Sequence, residues 1–208
     1  AQLIDHLGDP LWRICSGELY SILTSDGSGV VPFHPRPEQI KVAEVIYGRK
    51  WFPNTKRSLV TGPGCQQLLV PKARRLGMST VIGVMMADRA IFNSDTRATV
   101  IDQNAGDASR KLTEIIKVAV DSLKANPLFT SKFSVVKDND SELSFTFAGQ
   151  GKSQLNAVAG ARGGTNDFLW VSEWGVIQHE DPKRSAAIRS GALPSARHGI
   201  TVVETTWA

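Results

Sequence analysis

Between Gln67 and Phe92 the chain passes from a short apolar run, "QLLV", through a basic turn, "PKARRLG", into a long apolar segment, "MSTVIGVMMADRAIF". Strand, polar turn and helix in direct succession is the building unit of an α/β sheet. The turn nearly spells G-x-x-x-x-G-K-[ST], in which backbone N–H groups cradle phosphates, the lysine meets the β and γ phosphates and the hydroxyl holds magnesium. Gly77 and Ser79 stand where the second glycine and the hydroxyl belong, but Met78 replaces the lysine and Lys72 the first glycine. Such a loop curls around its ligand, so an ammonium from its first position can reach the oxygens usually met from its seventh. Lys72 is therefore the candidate phosphate-binding lysine, with Arg75 or Arg74 as a second charge and Met78 packed at the helix start. A helix N-cap behind a solvated basic turn is the rival reading of the same residues.

The 208 residues suffice for one substantial domain or at most two small ones. Residues 1–31 read as a helical lead-in, "LWRICSGELYSILTS" closing on "SDGSG", and residues 32–208 as the core domain. In "FHPRPEQIKVAEVIYGRK" Ile40, Ala43 and Val45–Ile46 fall at helical spacing after two prolines that set the start, so a helix is expected there, and an irregular loop from Trp51 to Gly64. "RATVIDQN" reads as a second strand, followed by a helix from Asp107 to Leu123 that carries Ala108, Leu112, Ile115, Ala119 and Leu123 on one face and stops at Asn126–Pro127. "FSVVKDND" and "SELSFTFAG" read as a hairpin. "DFLWVSEWG", with a loop after it, and "GITVVETTWA" are further buried strands, with a helical "PKRSAAIRSGAL" between them. This alternation predicts a mostly parallel central sheet flanked by helices on both faces.

The formal charge of +4 and a pI near 9.2 permit contact with an anionic polymer without requiring it. Arg49, Lys50, Lys56 and Arg57 cluster, and a solvated loop explains them better than a DNA-binding patch. Two cysteines are too few for a disulfide framework or zinc site, and the four histidines lack metal-ligand spacing. With no membrane-length apolar run and no signal-like N-terminus, a soluble intracellular protein is expected.

The second half of a nucleotide-hydrolysing site is an acid at the end of a neighbouring strand. In "DFLWVSEW" the apolar residues Phe168 to Val171 lead into Ser172 and Glu173, where Asp-Glu is usual. A glutamate there can orient and deprotonate the attacking water, and a polar residue before it can bind magnesium through water. An exposed strand-end carboxylate is the plainer alternative for Glu173.

Taken in order from about Pro32 to the last residue, these motifs resemble the ATPase domain of the large terminase subunit, the DNA-packaging motor of tailed bacteriophages. "KARRLGMST" is similar to that family's deviant Walker A loop, and the resemblance assigns nucleotide binding to Lys72, Ala73, Arg74, Arg75, Leu76, Gly77, Met78, Ser79 and Thr80. "FLWVSEWG" resembles its Walker B strand, with Glu173 catalytic and Ser172 a tolerated variant. "VVETTWA" is similar to its coupling motif, here Thr205 and Thr206. "RPEQ" resembles the adenine-reading Q motif, through Gln39. "AGARGGTND" looks like the segment carrying an arginine finger, Arg162, offered to a neighbouring subunit's ATP.

The resemblance implies a P-loop NTPase of the additional-strand, catalytic-glutamate type, using ATP and Mg2+, with Ser79 on the metal and Ser172 reaching it through water. It also implies double-stranded viral DNA, the portal protein of the procapsid and the small terminase subunit as partners, a homo-oligomeric (pentameric) ring, and a place in the host cytoplasm and transiently at the portal. The chain stops after the coupling motif, before the family's lid and nuclease domain, so no nuclease activity is expected of it. A helicase-like translocase and a nucleotide- or DNA-binding module without turnover remain the alternatives.

Overall fold

The chain was analysed as a computed structural model that describes residues 6–73, 76–160 and 164–206. In chain order its elements begin with helix α1 (Pro10–Cys15), strands β1 (Ser21–Leu23) and β2 (Val30–Pro32), helix α2 (Pro37–Tyr47), and strands β3 (Arg49–Phe52), β4 (Arg57–Val60) and β5 (Gln67–Lys72). Helix α3 (Met78–Phe92) and strand β6 (Arg97–Ile101) follow, then α4 (Ala105–Lys111) and α5 (Lys117–Ala125) joined by a π-helical turn over Leu112–Ile116. Strands β7 (Phe133–Asp138), β8 (Glu142–Phe147), β9 (Ser153–Val158) and β10 (Phe168–Val171) lead to helices α6 (Trp174–Glu180), α7 (Pro182–Ala187) and α8 (Leu193–Ser195), and strand β11 (Ile200–Thr206) ends the described chain.

Seven strands form the central sheet in the order β5-β11-β10-β6-β9-β8-β7. β5, β11, β10, β6 and β9 are parallel, and β8 runs antiparallel to both of its neighbours. Side chains alternate across the pleat, so in β10 Phe168 and Trp170 enter the core beneath α3 while Leu169 and Val171 enter a second core beneath α6–α8. A four-residue strand buried on both faces is the consequence, as expected of a parallel sheet covered by helices. Helix α3 is apolar almost all round because it lies at the centre of the larger core. Its Gly83 lets the π-helical turn approach closely; a Cβ there would lie 2.6 Å from Ile115 Cγ2.

The lead-in departs from expectation. Among its described residues Pro10–Cys15 forms a short helix, and Ser21–Leu23 and Val30–Pro32 form the β1–β2 hairpin, whose strands of three residues are too short to show an alternating pattern in sequence. Trp51 to Gly64, expected to be irregular, contributes to the β3–β4 hairpin; its Pro and Gly residues mark turns around short strands. The strand β9 was not anticipated, since its buried positions Ser153, Leu155 and Ala157 are only weakly apolar. The segment after β10 is helix α6 and not a loop. Three of the four clustered cations pair with acids: Arg49 with Asp9 at 3.4 Å, Lys50 with Glu44 at 3.2 Å and Lys56 with Glu18 at 2.7 Å, which favours the surface reading of that cluster. Among the described residues no helix is long and apolar enough to cross a membrane.

One polar knot fastens the N-terminal segment to the core. Asp88 of α3, fully buried, accepts from Arg13 Nε and Nη2 at 2.7 Å each and from the Tyr20 hydroxyl at 2.7 Å. Burial alone would lower the Arg13 pKa, but the Asp88 charge and its hydrogen bonds outweigh that and hold it above its ordinary value. Removing one partner leaves a buried charge uncompensated. Asp88→Ala is therefore expected to destabilise the fold by about 3–5 kcal/mol, measured by reversible chemical denaturation. Burial also pushes the Cys15 thiol up to about 12, so little of it is the reactive thiolate at neutral pH. Cys65 is less enclosed. In a thiol-labelling assay at pH 8, Cys65 should react in the native protein and Cys15 only upon unfolding.

Candidate active site

The carboxyl ends of β5, β11 and β10 lie side by side, and the register sets their last residues at one level. Thr206 pairs with Lys72 and Glu204 with Val70 across β11–β5, while Val203 pairs with Val171 across β11–β10. Lys72 at the end of β5 thus comes beside Ser172 and Glu173, although about 100 residues of sequence separate them. β11 lies between the strand that enters the phosphate loop and the strand that ends in the acid. That insertion is the additional-strand arrangement.

Lys72 Nζ sits 3.5 Å from Glu173 Oε1, 3.4 Å from Glu204 Oε2 and 3.2 Å from Ser79 Oγ. The lysine of the first loop position therefore reaches both the hydroxyl at the start of α3 and the acid after β10. Glu173 has φ 50° and ψ 43°, a left-handed conformation that few non-glycine residues hold without support. Support comes from β11: Thr206 Oγ1 donates to Glu173 Oε1 at 3.0 Å, and Thr205 Oγ1 accepts from the Gly175 backbone N–H at 3.0 Å. Both hydroxyls expected to couple thus touch the segment that carries the acid.

Glu204 was not singled out in the sequence, yet it occupies the centre of the cluster. Its Oε1 accepts from Ser79 Oγ at 2.8 Å and from Ser172 Oγ at 2.7 Å, and its Oε2 is buried without a hydrogen bond, facing the Lys72 ammonium. The only trace in the sequence is an acid interrupting an apolar strand, "VVETT". A lone carboxylate in such a run needs a buried partner, but the letters do not say which.

At the far end of the loop, Gly77 has φ 68° and caps α3, with Met78 packed into the core behind it and Leu76 against the core's margin. Gln39 is buried; its Nε2 donates to the Gly77 carbonyl at 2.6 Å and its Oε1 accepts from the Arg36 N–H at 2.7 Å. It therefore fastens the start of α2 to the turn that enters α3, and both ends of its amide are engaged with backbone. A cleft of about 970 Å³ opens beside this contact, lined by Gln39, Gly77 and Thr80 on one side and by Leu23, Thr24 and His34 around the β1–β2 hairpin on the other. The hairpin wall was not foreseen from sequence. Ala73 follows Lys72 on the exposed side of the turn. Arg74, Arg75 and Arg162 lie outside the described residues.

The donor set suits magnesium: hydroxyl and carboxylate oxygens, the hard ligands that ion prefers, with the orphaned Glu204 Oε2 among them. Among the described residues no three His, Cys, Asp or Glu side chains converge to hold an ion by themselves.

No protein-family model matches the chain, and no curated protein does. Solved structures are similar to it in fold. The large terminase of bacteriophage HK97 superposes with a TM-score of 0.64 at 14% identity, over 95% of this chain and 37% of that one. The large terminase ATPase domain of Thermus phage P74-26 gives 0.54 at 13%, over 67% and 58%. The large terminase of a thermophilic bacteriophage in complex with ATP-γ-S gives 0.51 at 16%, over 81% and 37%. The chain thus spans less than two thirds of each of these proteins. With its helix-covered, mostly parallel sheet, the chain shares the fold of the phage large-terminase ATPase domains.

Proposed function

We propose that the chain is the ATP-hydrolysing motor domain of a phage large terminase, which drives double-stranded DNA into procapsids. The observation that carries this reading is the convergence of Lys72, Ser79 and Glu173, with Lys72 Nζ 3.2 Å from the serine hydroxyl and 3.5 Å from the acid. A decayed loop has no reason to keep a lysine aimed at both. The fold supports the reading, as does a neighbour solved with ATP-γ-S.

In this mechanism ATP lies across the carboxyl ends of the strands, where open α/β sheets take ligands. Its adenosine enters the cleft between Gln39 and the β1–β2 hairpin, and its phosphates meet the loop amides and the N-terminus of α3. Lys72 turns from its carboxylate partners to the phosphate oxygens. Magnesium, when bound, neutralises phosphate charge, and Ser79 and Ser172 border its place. Glu173, released from the lysine, accepts a proton from the attacking water. Thr206 feels that change directly through its hydrogen bond to Glu173, and Thr205 through the first turn of α6, so β11 carries the nucleotide state away from the site. Arg162 of an adjacent subunit completes the charge stabilisation; such a finger is typically worth about 10³–10⁵ in rate. DNA, the portal protein, the small terminase subunit and a pentameric ring complete the proposal, with action in the host cytoplasm. Residues 32–208 form the ATPase core, and residues 22–25 and 31 of the lead-in supply part of the wall of its cleft.

Calorimetric titration of Mg-ATP tests this reading. The parent chain should bind, Lys72→Ala should lose affinity by a factor of about ten or more, and Glu173→Gln should bind while its turnover falls by about 10²–10⁴, the usual worth of a general base. Equal binding and equal turnover in all three proteins would sink it.

A further inference from the structure

Glu204 has no role in the mechanism above, yet no other carboxylate among the described residues joins these two segments. It is fully buried on the strand between the phosphate loop and the acid strand, and it joins the two by accepting from Ser79 and Ser172 on the same oxygen. We infer that Glu204 is the carboxylate that positions magnesium on the bound nucleotide, doing from β11 what an acid preceding Glu173 would do from β10. The inference rests on the nucleotide-binding reading of the site.

Three observations carry it. First, Ser79 donates its hydrogen to Glu204, so the lone pairs of its oxygen point away from the carboxylate, and Lys72 Nζ lies against that side at 3.2 Å. A serine that ligates a metal needs this polarity, with hydrogen to a carboxylate and lone pair to the cation. Second, among the described residues Glu204 Oε2 has no hydrogen-bond partner, and the Lys72 ammonium lies 3.4 Å from it. A buried carboxylate oxygen left open in this way is costly unless a positive charge stays beside it. When Lys72 moves to phosphate, a hydrated divalent cation would restore the balance; among the described residues no second cation pairs with Glu204. Third, Ser172 donates to Glu204 at 2.7 Å, so its hydroxyl serves to orient that carboxylate. Ser172 acts on the metal through Glu204, which explains how the strand end tolerates a serine before Glu173.

The discriminating quantity is the ratio of nucleotide affinity in magnesium to affinity in EDTA, because a purely structural role would change both affinities together. It is read by calorimetry on the full chain with ADP and ATP. The parent should bind more tightly in magnesium. In Glu204→Gln the ratio should fall about 10- to 100-fold, as for loss of an outer carboxylate at a metal site, while affinity in EDTA stays or rises because one of the two carboxylates that hold Lys72 away from phosphate is gone. Ser172→Ala should lower the ratio less. An unchanged ratio in Glu204→Gln overturns the inference and leaves the nucleotide site standing. A parent that binds no nucleotide in either buffer overturns the proposed function and the inference with it. Glu204→Gln keeps the shape of the side chain and leaves Lys72 paired with Glu173, so folding is expected. Should its thermal melt show no transition, Glu204→Asp, which keeps the charge but shortens its reach, replaces it; a lowered ratio then supports the inference and a parental ratio overturns it.

Discussion

A carboxylate sealed between two strands must be matched by hydrogen bonds and a positive charge, and the arrangement around Glu204 follows from meeting that demand. Ser79 comes from the first turn of α3, Ser172 from the end of β10 and Lys72 from the end of β5. Each element that carries chemistry is therefore tied to β11, and through β11 to the others. On the proposed reading that charge match is provisional, because the ammonium that satisfies Glu204 and Glu173 is also the one offered to phosphate. In the proposed mechanism the arrival of nucleotide would draw Lys72 away from these carboxylates, and the change would pass to the strand that bears Thr205 and Thr206.

The scaffold makes this possible by being rigid where the site is adaptable. β10 is buried on both faces, and α3 sits in the larger core with Gly83 admitting the π-helical turn at close range. The N-terminal segment belongs to the same body, because Arg13 and Tyr20 both end on Asp88. Its hairpin consequently stands at a defined place beside Gln39 and Gly77 and makes a cleft from what would otherwise be an open loop. Gln39 links the two sides by holding the Gly77 carbonyl, so the start of α2 and the turn into α3 move together.

Much of the architecture could be read from local pattern. The passage from "QLLV" through a glycine-ended turn into α3, the β7–β8 hairpin and the four apolar residues of β10 are each announced by composition and period, since burial on both faces demands continuous apolar residues and a half-buried hairpin demands alternation. The segments that escaped were those whose strands are short or whose buried side chains are small. β1 and β2 have three residues each, β3 and β4 four, and β9 buries Ser153 and Ala157. In these the backbone pairing comes from neighbours in space, and the sequence shows only the turns between them.

The sequence by itself determined that a strand meets a helix through a basic glycine turn, that a lysine stands at the first position of that turn, and that an acid ends a second buried strand. These are local properties, written in residue type and spacing. Only the tertiary structure decided that the lysine and the acid meet, that β11 is inserted between their strands, and that Glu204 and not Ser172 alone occupies the space between them. Those facts depend on strand order and register, which are set by how whole faces pack and which no single segment encodes. A shift of one residue in the pairing of β11 would turn Glu204 to the opposite face of the sheet and leave the same letters without a site.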